Sequence, residues 1–357
     1  MKKILFAALA AAFLATGCQK TEIINPVGDA IGFNAALNKL TKGAADAGEA
    51  NLQSQNFKVW SYYAYTDETN GVTASTVYDG INGMDVTYTA GADGAAGSWG
   101  TELQYYWPGT GKSLDFFAVS TGKFADETKP SVTIEGMGAG KLGTRKLTIT
   151  GYTVNNANAN DDLMVAEFVR QNQEQNQKVV DLKFKHALSK VIFKFKTNST
   201  DATAPIVNVK SLTIKDVATS GTLTVTEGTE TLENNSDDTR VDVVLAWTSV
   251  DTPSDITETF TTNNTLTTSA ETYVTKLLMP QALTDKKLSI VYTITENKDG
   301  ASPREFDIDF NLGEATVNSW GINQAITYVI NLSPNTIKFN PSVAPWETVT
   351  DDTSMSN

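Results

Sequence analysis

Apolar and polar residues alternate along this chain in short bursts divided by turn-forming clusters, a period of two that predicts strands rather than helices. The pattern recurs at 31–37, 57–62, 104–107, 114–119 and 163–168, and again at 180–184, 191–195, 209–214, 221–225, 241–245, 273–278, 288–292, 306–310 and 326–330. Only residues 187–190 suggest a helical turn. A short strand carries one apolar face and can bury it only against a second sheet, so the expected class is all-β, built from β-sandwiches. Between the two series lies RQNQEQNQ, residues 170–177, which has almost nothing to bury. It marks the expected boundary between an N-terminal sandwich, 30–177, and a C-terminal one, 178–346. The length of 357 residues and the hydrophobic fraction of 40% fit two domains of about 150 residues. Residues 347–357 are polar and read as a frayed tail.

The first residues are of a different kind. Lys2 and Lys3 precede ILFAALAAAFLA, an apolar run at 4–15 that suits a signal peptide and falls short of the roughly 20 residues a spanning helix needs. Ala15, Thr16 and Gly17 then lead to Cys18, the chain's single cysteine, in the pattern of a bacterial lipobox: a signal over 1–17, a lipid on the Cys18 thiol, and a polar tether over 18–29. Alone, Cys18 makes no intrachain disulfide, and with the single His186 it makes no Cys/His zinc site. The net charge of −13 becomes −15 once Lys2 and Lys3 leave with the signal, and no basic run offsets it. Nucleic acid is therefore not an expected partner, and the expected contact with a membrane is the lipid anchor alone.

Catalytic and ligand-binding motifs do not assemble. Gly109, Gly111, Lys112 and Ser113 imitate the end of a phosphate-binding loop, but Tyr106 stands where its first Gly belongs and a strand follows, so the segment reads as a hairpin turn. Gly138, Gly140 and Gly143 match a dinucleotide fingerprint in spacing yet lead into the strand-like 146–149. His186 lies in an alternating apolar context with no G-x-S-x-G nearby and reads as a packed residue. The pairs Asp161 with Asp162 and Asp237 with Asp238 sit in Asn-rich loops without an EF-hand pattern and read as solvated turns. No enzyme activity, cofactor or metal is expected. Tyr62, Tyr63 and residues 105–107 leave open a glycan-binding platform beside the alternative of core packing.

The succession of Cys18, INPVGDAIGFNA, FKVWSYYAY, YYWPGTGKSLDFFAV, DDLMVAE, LKFKHALSKVIFKF, KLLMPQAL and the closing IKFNPSVAPWE resembles the fimbrillin family of Bacteroidales, the lipoprotein subunits of type V pili, over nearly the whole mature chain. The resemblance implies two transthyretin-like β-sandwiches in tandem and passage to the outer membrane as a lipoprotein. It also implies residence in a surface pilus among other pilin subunits, a role in adhesion, and assembly by strand exchange after proteolysis removes the first strand. In the family's best-known members the cut follows an Arg. Here the first Arg is Arg145, and the only basic residues in the loop after the first strand are Lys39 and Lys42, so the cut is expected after one of these. A surface-anchored glycan-binding lipoprotein that does not polymerise is the alternative.

A sandwich stripped of an edge strand exposes unpaired backbone beside an apolar cleft, which an extended segment of another chain can fill. The strand to be lost presents Ile31, Phe33, Ala35 and Leu37 to one side. A segment near the C-terminus presents Ile337, Phe339, Pro341 and Val343 in the same spacing, with Asn340 at the offset of Asn34. That segment is either a donor to the next subunit or the last strand of its own second domain. As a donor it requires Pro341 to lie where its missing N–H faces away from the partner strand.

Overall fold

The alternating segments become strands almost throughout. The computed structural model describes residues 29–37, 47–66, 69, 76–125, 129–136, 145–154, 161–174, 179–198, 200–235, 238–249, 253–262, 264–333 and 336–346. The first series comprises β1 (Gly32–Leu37), β2 (Phe57–Tyr63), β3 (Val77–Thr89), β4 (Ser98–Gly100), β5 (Leu114–Ser120), β6 (Ser131–Glu135), β7 (Lys146–Thr153), β8 (Met164–Ala166), β9 (Phe168–Gln171) and β10 (Val179–His186). There follow β11 (Ser189–Lys196), β12 (Ile206–Val217), β13 (Ser220–Asn235), β14 (Asp238–Ser249), β15 (Ser254–Thr259), β16 (Glu271–Leu278), β17 (Gln281–Ala282), β18 (Lys287–Thr295), β19 (Arg304–Asn311), β20 (Ser319–Trp320), β21 (Gln324–Ser333) and β22 (Thr336–Pro345). The class is all-β. Among the described residues no helix is long and apolar enough to cross a membrane.

A 12-stranded sheet runs in the order β1-β10-β8-β5-β9-β14-β13-β7-β6, and β2, β3 and β4 branch from β5. Its centre is β5, every residue of which is buried. Leu114, Phe116 and Ala118 enter one core with Ile31, Phe33, Phe57 and Phe184, while Phe117 and Val119 enter another with Ile149, Phe168, Leu223 and Val225. A strand buried on both faces has to be nearly continuously apolar, and LDFFAVS is. The single charge in that run, Asp115, is bound by Arg145 at 2.8 Å and by Arg170 through two bonds of 2.9 and 2.8 Å, and Arg145 also pairs with Glu227. Two four-stranded sheets, β16-β11-β21-β22 and β15-β12-β18-β19, face one another across a third core that includes Phe193, Leu212, Ile290 and Tyr328.

The large sheet runs across residues 170–177, where the polarity of the sequence suggested a break: β9 and β10 on either side belong to it, and so do β13 and β14 from well beyond. Of the polar run, Arg170 and Gln171 belong to β9 and Gln171 and Asn172 are buried, while residues 175–177 lie outside the described residues. The hairpin of β13 and β14 reaches back because Leu223, Val225 and Val243 complete the core around Phe117. The helical turn expected at 187–190 is absent, since Ser189 and Lys190 already belong to β11. A helix appears instead at α1 (Ala47–Gln55), where the sequence has only Leu52 to bury. Asn56, at φ 61°, ends it with its N–H on the Leu52 carbonyl at 3.0 Å. Gly109 and Gly111 take φ of 111° and 69° in the turn that feeds β5, but the turn does not close the expected hairpin, since β5 pairs with β2, β8 and β9 and the preceding segment only bridges Ala30 through Tyr106. The second glycine set, 138–143, lies outside the described residues.

Candidate strand-exchange site

β1 ends the large sheet, and among the described residues its only ladder partner is β10, which runs parallel to it from Gly32 opposite Val179 to Leu37 opposite Phe184. Among the described residues its other side is hydrogen-bonded through the backbone at its start, where the Ile31 N–H donates to the Tyr105 carbonyl at 2.8 Å and the Trp107 N–H to the Asp29 carbonyl at 2.9 Å. Residues 104–107 therefore form a bridge at Tyr106 rather than the expected strand. The inward side chains are those the alternation marked. Ile31, Phe33 and Leu37 are buried and Ala35 packs at the margin of the same core. The Phe33 ring stands edge-on to Phe116 at 6.1 Å. Each of the three large side chains contributes about 1.5–3 kcal/mol of burial, so β1 is held by one ladder and a row of apolar knobs. On its outer face the Asn34 Nδ2 donates to Asp181 Oδ1 at 3.0 Å, a contact that sequence reasoning missed. Cys18, Lys39 and Lys42 lie outside the described residues.

The C-terminal segment is the edge strand of its own sandwich. β22 pairs antiparallel with β21 from Thr336 opposite Ser333 to Pro345 opposite Gln324, with Ile337 opposite Leu332 and Pro341 opposite Tyr328. Phe339 is half-buried, stacked on Phe310 at 4.9 Å and Tyr328 at 5.1 Å. Val343 is 45% exposed. Immediately after the strand, Trp346 enters the core shared with Leu277 and Met279 and stacks on His186, ring centres 3.8 Å apart and planes within 3°. The end of β22 is thereby pinned to the end of β10.

His186 itself is fully buried, and its Nδ1 lies 2.7 Å from Asp162 Oδ2. An imidazole oriented by a carboxylate has the form of a catalytic base, but this one is sealed from solvent and its Nε2 has no hydrogen-bond partner. Asp161 is likewise interior, accepting from the Thr121 hydroxyl at 3.1 Å, so this pair is a packed junction rather than a solvated turn. The two carboxylates also help burial to push the Tyr152 phenol well above its ordinary range, desolvation being the larger cause. Asp237 lies outside the described residues, and among those described no three His, Cys, Asp or Glu side chains converge on a metal position. Of the aromatic platform, Tyr62 and Trp107 are buried, Tyr62 edge-on to Phe117 and Trp107 edge-on to Phe116, while Tyr63, Tyr105 and Tyr106 are partly exposed. Arg145, the first Arg of the chain, is buried in the charge cluster around Asp115.

A family profile described as fimbrillin-like matches residues 45–346. Among solved structures, a fimbrial protein from Bacteroides vulgatus ATCC 8482 is 18% identical with a TM-score of 0.52, the alignment covering 89% of this chain and 99% of that one. A protein from Bacteroides uniformis ATCC 8492, described only provisionally as a cell adhesion protein, is 17% identical with a TM-score of 0.48, covering 89% of this chain and 98% of that one. The first likeness establishes a shared fold. No curated protein matches the chain.

Proposed function

The chain belongs to the fimbrillin-like family, and on that premise we propose that it is a structural pilus subunit with a role in adhesion, exported as a lipoprotein through Cys18 to the outer membrane. A cut after Lys39 or Lys42 releases the body from its lipid, and β1 leaves with the anchor. The cleft left beside β10 is then filled by the C-terminal segment of another subunit. Cys18 is in this account a temporary handle, and polymerisation follows cleavage.

The observation that carries the reading is the position of β1: an edge strand, laddered among the described residues on one side, whose Ile31, Phe33 and Leu37 fill a core that its departure would open. Open strand edges beside apolar clefts recruit extended chains. Limited digestion of the purified Cys18→Ser chain with a lysine-specific protease tests it. The expected result is a product beginning at Leu40 or Gly43 that assembles into filaments under the electron microscope, while the uncut chain stays monomeric. Filaments from the uncut chain, or a cut chain that sheds β1 and remains monomeric, would overturn the reading.

A further inference from the structure

We propose that Asp181 sets the register of the incoming strand, which runs parallel to β10 with Asn340 of a second copy in the place of Asn34. The inference rests on the strand-exchange reading above and adds to it the direction, the register and the residue that reads them.

The backbone of β1 explains why a proline-containing strand fits. Successive N–H groups of a strand point to opposite edges. The Ile31 N–H points away from β10, to the Tyr105 carbonyl, and the Ala35 N–H is spent on the Oδ1 of Asn34 at 3.2 Å. Residues 31, 33, 35 and 37 thus turn their N–H groups off the ladder, and Gly32, Asn34 and Ala36 carry it. Pro341 in the place of Ala35 removes no bond to β10.

Three requirements then leave one register. A slip by one residue would put Pro341 on the ladder and turn Phe339 to solvent. A slip by two keeps the apolar face inward but moves Asn340 opposite Val179 or Lys183 instead of Asp181. Only with Asn340 opposite Asp181 is the amide-to-carboxylate bond of the intact chain, 3.0 Å from Asn34 Nδ2 to Asp181 Oδ1, remade. The same N-to-C order of Ile, Phe and Asn in both segments requires the same direction along β10. The destination also suits Val343 better than its home: it is 45% exposed in β22, whereas Leu37, whose place it takes, is 5% exposed. One adjustment is needed, because the Cβ of Lys338 in the place of Gly32 would approach Val179 Cγ2 at 3.3 Å, and that side chain must give by a few tenths of an ångström.

The first arm of the test keeps Asp181 and Asn340 intact and reads the register one pair further on. Two full-length chains, both Cys18→Ser and both carrying an inserted site for a sequence-specific protease after Lys39, are cut, mixed and oxidised. One carries Ser342→Cys and the other carries Lys183→Cys or, as the slipped control, Lys185→Cys. Paired strands lie close enough for a disulfide only in register. The expected product is a Ser342→Cys to Lys183→Cys dimer, favoured over the Lys185→Cys product. Asp181→Ala should cut that preference about five- to tenfold, as loss of one charge-assisted hydrogen bond allows, and Asn340→Asp should do the same by repulsion. The exchanged pair Asp181→Asn with Asn340→Asp should restore it, which a merely structural role for Asp181 would not. Filaments that link through Lys185→Cys, or a preference indifferent to Asp181, would overturn the register while leaving strand exchange standing. Filaments with no link from Ser342→Cys to either position would likewise overturn the register, and no filaments after the cut would overturn the exchange reading itself.

Discussion

Tyr328 lies in a row of rings, stacked between Phe193 at 5.3 Å and Phe339 at 5.1 Å, with its hydroxyl accepting from Trp320 Nε1 at 3.0 Å. Burial pushes its phenol up to about 12, against 10.0 for an ordinary tyrosine, and the Trp320 bond only partly offsets this. A folded-state pKa above the unfolded one means the contribution is complete below pH 10 and is lost as pH rises toward 12. Unfolding by urea at a series of alkaline pH values should therefore show a loss of roughly 2–3 kcal/mol from this group, and Tyr328→Phe should remove that share of the slope while lowering stability at every pH through the unpaired indole. An identical alkaline slope in the variant would contradict it. What the sequence disclosed at this scale was the inward set. Ile31, Phe33 and Leu37 were legible from alternation alone, because a period of two needs no partner to be seen. Asp181 was not, because its partner Asn34 is 147 positions away and a parallel pairing leaves no local signature. The burial of Asp161 and Asp162 was misread for a related reason: Asn-rich neighbours suggest a solvated turn, while the partners that draw both carboxylates inward, Thr121 and His186, are remote or unremarkable in sequence.

At the scale of elements, most strands were readable and their sheets were not. Alternation states that a segment is a strand but not which neighbour it pairs with, and β13 with β14 join β9 and β7 across the polar run that suggested a boundary. The helix α1 escaped notice because a helix with one buried apolar residue has no periodicity to find. The C-terminal strand has a home in its own sandwich, paired with β21. Phe339 holds its middle and Trp346, 3% exposed on His186, holds its end. Trp346→Ala deletes a large buried side chain, a change that costs about 3–5 kcal/mol. Amide hydrogen exchange in the uncut chain should then accelerate across residues 336–345, with β1 and β5 keeping their protection. Unaltered protection of β22 would show that the ring does not secure the strand.

For the whole molecule, the family and the all-β class were legible in the order of short motifs along the chain, and the extent of the large sheet emerged only with the fold. Its acidity, a net charge of −13 over the whole sequence, opposes association of copies electrostatically, so the proposed assembly rests on strand pairing and apolar burial. On the proposed reading, this fimbrillin-like chain enters a filament only after losing its first strand. The most direct measurement is the N-terminal sequence and intact mass of the subunit in filaments purified from the surface of cells that express it. The account predicts a subunit that begins at Leu40 or Gly43 and carries no lipid. Filaments whose subunits begin at an acylated Cys18 and retain Ile31, Phe33 and Leu37 would contradict it.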